Sequence, residues 1–261
     1  MLTLQEITKI FNKNTQDEKR ALHRLSLEIE AGDFVTIIGS NGAGKSTLLD
    51  VVAGTLMVDE GRILVDGEDV TRAPDYVMAK HLARVFQNPL IGTAASMTIE
   101  ENLCLAQLRG QRRRLRWGVT KARRERYKDM LAVLGLGLEN RLKDKVGLLS
   151  GGQRQSLALL MSTLSMPRLL LLDEHTAALD PRMAEKVMEL TDVIIRDNNL
   201  TTLMVTHNMH QALNYGNHMI MLHQGNIQLD VRGQAKARLT VNEVLSQFGE
   251  TLKDETLLCA T

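Results

Sequence analysis

The feature that most constrains this chain is a glycine-rich loop at positions 39–47, with the sequence GSNGAGKST. An apolar run at 34–38 precedes it and predicts a buried strand, and an apolar run at 48–54 follows it and predicts the start of a helix. In that order the pattern GxxxxGK[ST] is typical of a phosphate-binding loop. An ordinary glycine-rich surface turn is the alternative, and the complete pattern in this context argues against it.

Each part of this loop has a predicted task. Its glycines let the backbone curl so that successive N–H groups point at anionic oxygens, and the helix adds the positive end of its dipole. Lys45 would reach the β- and γ-phosphates of a nucleotide, and the Ser46 hydroxyl would hold Mg²⁺. The predicted nucleotide-binding residues of the loop are Gly39, Ser40, Asn41, Gly42, Ala43, Gly44, Lys45, Ser46 and Thr47.

Composition narrows the class of protein. The chain has 261 residues, of which 44% are hydrophobic and 24% charged, and its net charge is +1. A net charge this small argues for neither nucleic acid nor membrane as a partner. No apolar run approaches the roughly 20 residues of a membrane span, the N-terminus has no signal-peptide pattern, and two cysteines are too few for a disulfide framework. We therefore expect a cytosolic protein that a partner brings to any membrane at which it acts.

The hydrophobic pattern changes twice along the chain. Residues 1–38 are mostly strand-like, helical spacing takes over after about position 88, and alternating strands and helices return from 146. The sequence thus predicts one domain over 1–261 with an α/β P-loop core, an antiparallel β portion and an inserted helical subdomain. The core would comprise 1–87 and 166–261, and the helical subdomain about 88–165.

A basic stretch crosses the predicted helical subdomain. Lipid headgroups or RNA phosphates are conceivable ligands, but few aromatic residues interleave with the charges, so a solvated face or a partner contact is favoured. Its members are Arg109, Arg112, Arg113, Arg114, Arg116, Lys121, Arg123, Arg124, Arg126 and Lys128, with Trp117 and Tyr127 among them.

An acidic pair follows the most apolar strand of the sequence. Leu169 through Leu172 predict a strand covered on both faces, and Asp173 and Glu174 come directly after it. In a nucleotide hydrolase, Asp173 would serve Mg²⁺ and Glu174 would polarise the attacking water as a general base. Two solvated acids at a strand end are the alternative, which the phosphate loop in the same chain makes weaker.

A second anion site is predicted at Leu149-Ser150-Gly151-Gly152-Gln153. Ser150 can cap a helix whose apolar face continues through Leu157, Leu160 and Leu164. The two glycines leave backbone N–H groups uncovered at that helix start, which suits a phosphate. One chain thus offers two separate half-sites for a triphosphate.

Taken together, these motifs resemble the nucleotide-binding subunit of an ABC transporter, over nearly the whole chain. The Walker A loop at 39–47, the signature at 149–153 and Walker B at 169–174 stand in the order of that family. The resemblance implies a head-to-tail dimer in which the signature of one chain closes over ATP held by the other. The implied contacts in trans come from Ser150, Gly151, Gly152 and Gln153. Since each motif occurs once, two composite sites require two copies of the chain.

Four further positions gain a role from the resemblance. Gln87, in the Q-loop 86–89, would touch Mg²⁺ and the attacking water and couple the γ-phosphate to rotation of the helical subdomain. His207, in the switch region, would orient the γ-phosphate and the water beside Glu174. Asp180 would belong to the D-loop, which crosses to the other subunit. Phe11 stands where an aromatic residue stacks on adenine, although an ordinary core phenylalanine is nearly as good an interpretation.

Some features leave alternatives open. His207 and His210 could together hold a metal, but no carboxylate or cysteine cluster supports that reading, and His210 is better explained as a surface residue. The family usually has proline after the Walker B glutamate, where this chain has His175, which puts the local loop shape in question. The segment 173–180 resembles an importer subgroup associated with amino acids such as tryptophan or tyrosine. The segment 86–102 is similar to ATPases of branched-chain amino acid and nucleoside importers.

The resemblance implies an ATPase, with ATP and Mg²⁺ as cofactors, that drives solute transport through a separate membrane permease. Import of an amino acid or a similar small solute is the expected direction. The implied partners are a second copy, the permease and an extracytoplasmic substrate-binding protein, without nucleic acid, at the cytoplasmic face of a bacterial-type cell membrane. Two alternatives stay open. One is a non-transport ABC ATPase of translation, DNA repair or cluster assembly, and the other is a regulatory ATP-binding module.

Overall fold

The computed structural model describes residues 1–111 and 118–248. Its strands form two sheets, a four-stranded antiparallel sheet and a six-stranded mixed sheet. The antiparallel sheet has the order β2-β1-β4-β5, with β1 at Leu2–Phe11, β2 at Lys19–Ile29, β4 at Glu60–Val65 and β5 at Glu68–Asp69. The mixed sheet has the order β10-β9-β3-β8-β7-β6, with β3 at Phe34–Gly39, β6 at Leu82–Val85, β7 at Leu169–Asp173, β8 at Thr201–Val205, β9 at His218–His223 and β10 at Asn226–Arg232.

The helices lie between and around these sheets. They are α1 at Lys45–Val52, α2 at Asp75–Met78, α3 at Ile99–Gln107, α4 at Lys121–Ala132, α5 at Gly151–Thr163, α6 at Pro181–Asp197, α7 at Met209–Asn214, α8 at Gly233–Arg238 and α9 at Val241–Phe248. The α/β core, the antiparallel portion and the helical part are those that the sequence predicts. Within the described ranges, no helix combines the length and the hydrophobicity that crossing a membrane requires.

The mixed sheet determines where the site lies. All its strands run parallel except β10, which pairs antiparallel with β9 at one edge. The carboxyl ends of parallel strands meet at one edge of a sheet, which is where open α/β folds bind ligands. The glycine-rich loop leaves the end of β3 and the acidic pair stands at the end of β7, so both come to this edge.

The hydrophobic core is layered. One cluster packs α1 between the two sheets, and it includes Leu4 of β1, Leu49 of α1 and Leu171 of β7. A second cluster lies on the other face of the mixed sheet, under α5 and α6. The helical part has a cluster of its own around the fully buried Tyr127, whose hydroxyl donates to Oε1 of Gln107 at 2.8 Å. Helix α5 connects two of these clusters, because Leu157 belongs to the cluster of the helical part and Leu159 to the cluster under α5 and α6.

The described cations of the basic stretch are largely engaged with nearby groups. Arg109 donates to the carbonyl of Leu82 at 2.9 Å, and Arg124 pairs with Glu100 at 2.6 Å. Lys128 pairs with Glu125 at 3.1 Å, and Arg123 donates to the carbonyl of Gly118. These contacts favour a local structural role over an open anion-binding face. The remaining residues of the stretch, Arg112, Arg113, Arg114, Arg116 and Trp117, lie outside the described residues.

Candidate functional site

The glycine-rich loop has a backbone that only glycine fits at two positions. Gly39 has φ 152°, and a Cβ atom there would lie 2.2 Å from the carbonyl oxygen of Leu222. Gly44, which precedes α1, has φ 105°, and a Cβ atom there would lie 2.5 Å from the carbonyl oxygen of Ala21. The loop is therefore held between β2 and the β9–β10 hairpin, in the curled form that phosphate binding needs.

Lys45 is buried at the first position of α1. Its Nζ atom donates to the carbonyl oxygens of Gly39 at 2.8 Å and Ser40 at 3.0 Å. These contacts hold the ammonium group over the loop at the positive end of the helix, so a bound phosphate would meet it without a large rearrangement.

A cavity of about 210 Å³ opens beside the loop, and we call it the phosphate cleft. It brings Glu174 from the end of β7 and Phe11 from the end of β1 next to the loop, as the sequence predicts for a nucleotide site. Phe11 is 37% exposed, so its interpretation as a core residue is wrong. The cleft also contains Lys19, which the sequence did not single out. Its lining residues are Phe11, Lys19, Ala21, Asn41, Gly42, Gly44, Lys45, Ser46, Thr47 and Glu174.

Glu174 faces an imidazole. Its amide donates to the carbonyl of Val205 at 3.0 Å, which joins the ends of β7 and β8. The Nδ1 atom of His207 lies 3.7 Å from Oε2 of Glu174. This imidazole, with the charge of Lys45, holds the pKa of Glu174 below its ordinary value despite partial burial. The carboxylate is thus ionised at neutral pH, as a group that accepts a hydrogen bond from water must be.

Asp173 is held by a residue that the sequence analysis missed. Nη2 of Arg84 lies 2.6 Å from Oδ2 of Asp173, and Nη1 of the same guanidinium lies 2.5 Å from Oδ1 of Asp50 on α1. The available signal was an arginine inside the short apolar strand β6, where a charge needs a partner.

The oxygen donors fit Mg²⁺ in kind. The hydroxyl of Ser46, the carboxylate of Asp173 and the amide oxygen of Gln87 are hard ligands of the type that this ion prefers. Ser46 lines the phosphate cleft, whereas exposed Gln87 follows β6 and does not line it. In the part of the chain that the structure describes, no three or more His, Cys, Asp or Glu side chains gather as a metal site. Mg²⁺ would therefore complete its shell with phosphate oxygens and water. The alternative pairing of His207 with His210 gains no support, because His210 is exposed and no such group surrounds the two.

The signature stretch begins α5 as predicted. The Ser150 side chain accepts from the Gln153 amide at 3.3 Å, and the Gln153 side chain accepts from the Ser150 amide at 3.2 Å. This reciprocal cap fixes the first turn of the helix. None of Ser150, Gly151, Gly152 and Gln153 lines the phosphate cleft, so a single chain does not bring the two half-sites together.

Asp180 caps α6. Its side chain accepts from the amide of Met183 at 3.1 Å, and Pro181 occupies the first position of the helix. Asp180 also lies outside the lining of the phosphate cleft. Its predicted reach toward a second chain stays a prediction.

A sequence model described as "ABC transporter" matches residues 22–177, which span the phosphate loop, the signature and the acidic pair. The chain belongs to the ABC transporter family. This membership confirms the prediction that the chain is an ATP-binding subunit of an ABC transporter and an ATPase.

Two relatives and one solved structure show how far the similarity extends. The ABC protein is 46% identical over 248 residues to the tyrosine transport ATP-binding protein of Clostridioides difficile (strain R20291), covering 95% of this chain and 98% of that protein. It is 33% identical over 82% of its length to the spermidine/putrescine import ATP-binding protein PotA of Shigella flexneri serotype 5b (strain 8401), of which it spans only 53%. Among solved structures, a dimeric post-hydrolysis state of an ATP-binding cassette bound to ADP and Pi matches with a TM-score of 0.76 and 28% identity, over 89% of this chain and 98% of that one.

His175 replaces the usual proline of the ABC family without leaving the loop unsupported. The imidazole is fully buried against α6, where Nε2 lies 3.0 Å from the hydroxyl oxygen of Thr191. That hydroxyl donates to the carbonyl of Val187 at 2.7 Å, so the imidazole is the donor to Thr191. Burial lowers the pKa of His175 to about 4, and the ring is neutral in the folded protein.

This burial predicts a pH-dependent stability. An unfolded histidine takes up a proton below pH 6.5, whereas folded His175 does so only near pH 4, so stability falls as the pH drops through that window. Between pH 7 and pH 5, the free energy of unfolding should fall by about 2 kcal/mol more in the wild type than in His175→Gln. The glutamine keeps a neutral hydrogen-bond donor for Thr191. Urea unfolding at both pH values measures the difference, and equal losses in the two proteins would refute it. His218 is also buried with a lowered pKa, but its contribution to the pH dependence is the same in both proteins and cancels in the comparison.

Proposed function

We propose that this ABC protein is the ATP-binding subunit of an importer for an amino acid of the tyrosine or tryptophan type. The carrying observation is the 46% identity to a tyrosine transport ATP-binding protein over 98% of that protein. We propose that it works as a pair of identical chains at the cytoplasmic face of the membrane. A permease and an extracytoplasmic substrate-binding protein complete the transporter.

The chain's own residues supply the steps of hydrolysis in this proposal. Lys45 and the loop amides bind the β- and γ-phosphates, and ionised Glu174 accepts a hydrogen bond from the attacking water. His207, 3.7 Å from Glu174, orients that carboxylate and the γ-phosphate. Ser46, Asp173 and Gln87 would hold Mg²⁺, which neutralises phosphate charge when bound. Phe11, exposed at the mouth of the cleft, offers its ring to the base of ATP.

The second copy supplies the missing contacts. The amides of Gly151 and Gly152 stand in the first turn of α5 and have no carbonyl partner within the helix. A triphosphate held in the phosphate cleft of one chain would meet this helix N-terminus, with Ser150 and Gln153, from the other. Asp180 would cross the same interface. ATP adds contacts between the chains that ADP cannot make, so ATP favours the closed pair.

The joint between the core and the helical part is our proposed permease contact. Three and four positions after Gln87, Leu90 and Ile91 are 49% and 63% exposed, which is unusual for adjacent large apolar residues. In the chain they stand between Pro89 and Gly92, which both line a cavity of about 180 Å³ between β6, α3 and α5. We propose that the segment 88–165 rotates as a unit when Gln87 responds to the γ-phosphate, and that this rotation moves a permease docked on the joint. The cavity is lined by Arg84, Val85, Phe86, Pro89, Gly92, Ala106, Arg109, Ala158, Met161 and Ser162.

The experiment that tests transport uses the double variant Leu90→Glu plus Ile91→Glu. Burying two carboxylates in an apolar contact should weaken permease binding at least about tenfold. The measurements are co-purification with the permease and uptake of labelled tyrosine and tryptophan into proteoliposomes. ATP binding by the isolated chain should stay unchanged, because neither residue lines the phosphate cleft.

Val133→Glu is the matched control, since that side chain is 64% exposed but lies at the C-terminal end of α4, outside the segment 86–92 at the joint. It should leave binding and uptake intact. Full uptake by the double variant would contradict the docking surface, and no uptake of either amino acid by the wild type would contradict the proposed cargo. The ionised carboxylate of Glu174, which lines the phosphate cleft next to His207, argues against a purely regulatory module, which needs no general base.

A further inference from the structure

Arg84 occupies an unusual place for a strand residue. Its side chain is only 13% exposed, and its guanidinium bridges two carboxylates, Asp50 on α1 and Asp173 at the end of β7. The centre of the guanidinium also lies 4.9 Å from the ring centroid of Phe86. Its Nε atom is buried, and none of the residues in 1–111 and 118–248 forms a hydrogen bond with it.

The energetics favour a positioning task over simple stabilisation. A buried ion pair gains little net stability, because the charges lose hydration, and an unsatisfied Nε adds to that cost. The fork of a guanidinium, by contrast, fixes the direction of a carboxylate more firmly than a single-point donor does. Two carboxylates on one cation leave the group with a net negative charge, which attracts a further cation.

Arg84 also connects the elements that carry the proposed Mg²⁺ ligands. Asp50 lies on α1, which begins with Lys45 and Ser46, and Asp173 ends β7. Arg84 itself lies three positions before Gln87 on the strand that leads to it. One side chain therefore joins the segments on which Ser46, Asp173 and Gln87 depend.

We propose that Arg84 is a positioning residue that sets the Mg²⁺ requirement of the nucleotide site. Its guanidinium holds Oδ2 of Asp173 and would compete with Mg²⁺ for the charge of that carboxylate. Asp50 moderates this competition by sharing the same guanidinium. The inference rests on the proposed assignment of Asp173 to Mg²⁺.

The test titrates Mg²⁺ against binding of a fluorescent ATP analogue, in full-length chains that all carry Glu174→Gln so that nucleotide is not consumed. Arg84→Met removes the competing cation at similar volume, so the half-saturating Mg²⁺ concentration should fall about tenfold. Asp50→Asn leaves Arg84 to Asp173 alone, so that concentration should rise about threefold. Mg²⁺-dependent dimer formation, measured by sedimentation, should shift in the same directions.

A double-mutant cycle separates this mechanism from a general charge effect. If Asp50 acts through Arg84, then Asp50→Asn should have no further effect in the Arg84→Met background. Equal effects of Asp50→Asn in both backgrounds, or an unchanged Mg²⁺ requirement in folded Arg84→Met, would overturn the proposal. A purely structural bridge would lower the melting temperature and leave the Mg²⁺ requirement where it was. Should Arg84→Met fail to fold, Asp50→Asn still decides, because its side chain is 37% exposed and an unchanged Mg²⁺ requirement would reject the inference.

Asp173→Asn distinguishes failure of this inference from failure of the site assignment. If Asp173→Asn raises the Mg²⁺ requirement while the Arg84 and Asp50 variants leave it unchanged, only the role of Arg84 is rejected. An unchanged requirement in Asp173→Asn rejects the assignment of Asp173 as well.

Discussion

Replacing Glu174 with glutamine should lower steady-state ATP hydrolysis by at least about a hundredfold, while ATP binding changes little. The amide has nearly the shape of the carboxylate but cannot take a proton from water. Positioned acid–base groups contribute about 10²–10⁴ in rate, and Glu174 is the ionised carboxylate that lines the phosphate cleft. Phosphate release measures the loss, and fluorescent-nucleotide binding measures the affinity that should persist.

The same variant should accumulate as an ATP-bound dimer. The neutral amide removes a negative charge beside the phosphates, and ATP that is not cleaved keeps the contacts between the chains in place. Sedimentation with ATP and with ADP should show a dimer with ATP only. Glu68→Gln, at an exposed position on β5, is the control and should hydrolyse ATP like the wild type. Hydrolysis by Glu174→Gln within a few-fold of the wild-type rate would mean that another group activates the water.

Replacing Lys45 with alanine should weaken ATP binding by about a hundredfold. The variant loses a buried ammonium group that the carbonyls of Gly39 and Ser40 hold in place over the loop. A charge-assisted contact to phosphate is worth more than a neutral hydrogen bond, especially where water is excluded. Calorimetric titration with ATP and Mg²⁺ measures the affinity, and thermal unfolding verifies that the variant is folded.

Lys19 provides the matched control for that experiment. It lines the same cleft but is exposed at the first position of β2, so its charge is screened by solvent. Lys19→Ala should therefore cost only about two- to fivefold in affinity. Comparable losses from both substitutions would show that the cleft binds phosphate by overall charge and that Lys45 has no special position.

The sequence predicted best what lies close together along the chain. The phosphate loop, the cap formed by Ser150 and the acidic pair after β7 each follow from a few consecutive residues, whose local geometry their side chains largely determine. The antiparallel β portion also follows from local alternation of apolar and polar residues. The helix after the phosphate loop begins at Lys45, three residues before the apolar run that predicted it.

What the sequence missed depends on distant pairing. Arg84 gains its role from Asp50 and Asp173, which are 34 and 89 positions away. Lys19 reaches the phosphate cleft because β1 and β2 pair with Phe11 opposite Lys19. The exposure of Phe11 likewise depends on where that hairpin ends relative to the loop. Register and packing of this kind are decided by the whole fold, which no short pattern encodes.

The close approach of Gly152 to Met183 has a consequence for how two such chains would behave together. A Cβ atom at Gly152 would lie 2.1 Å from Cγ of Met183, so the first turns of α5 and α6 are in direct contact. Asp180, which caps α6, follows Glu174 by a few residues on the same stretch of backbone. In the proposed pair, each chain would therefore carry Glu174 and the surface that it offers to the second copy on one connected part of the structure. Two nucleotides bound this way would influence each other, and the pair would respond to rising ATP with a threshold, as a switch does.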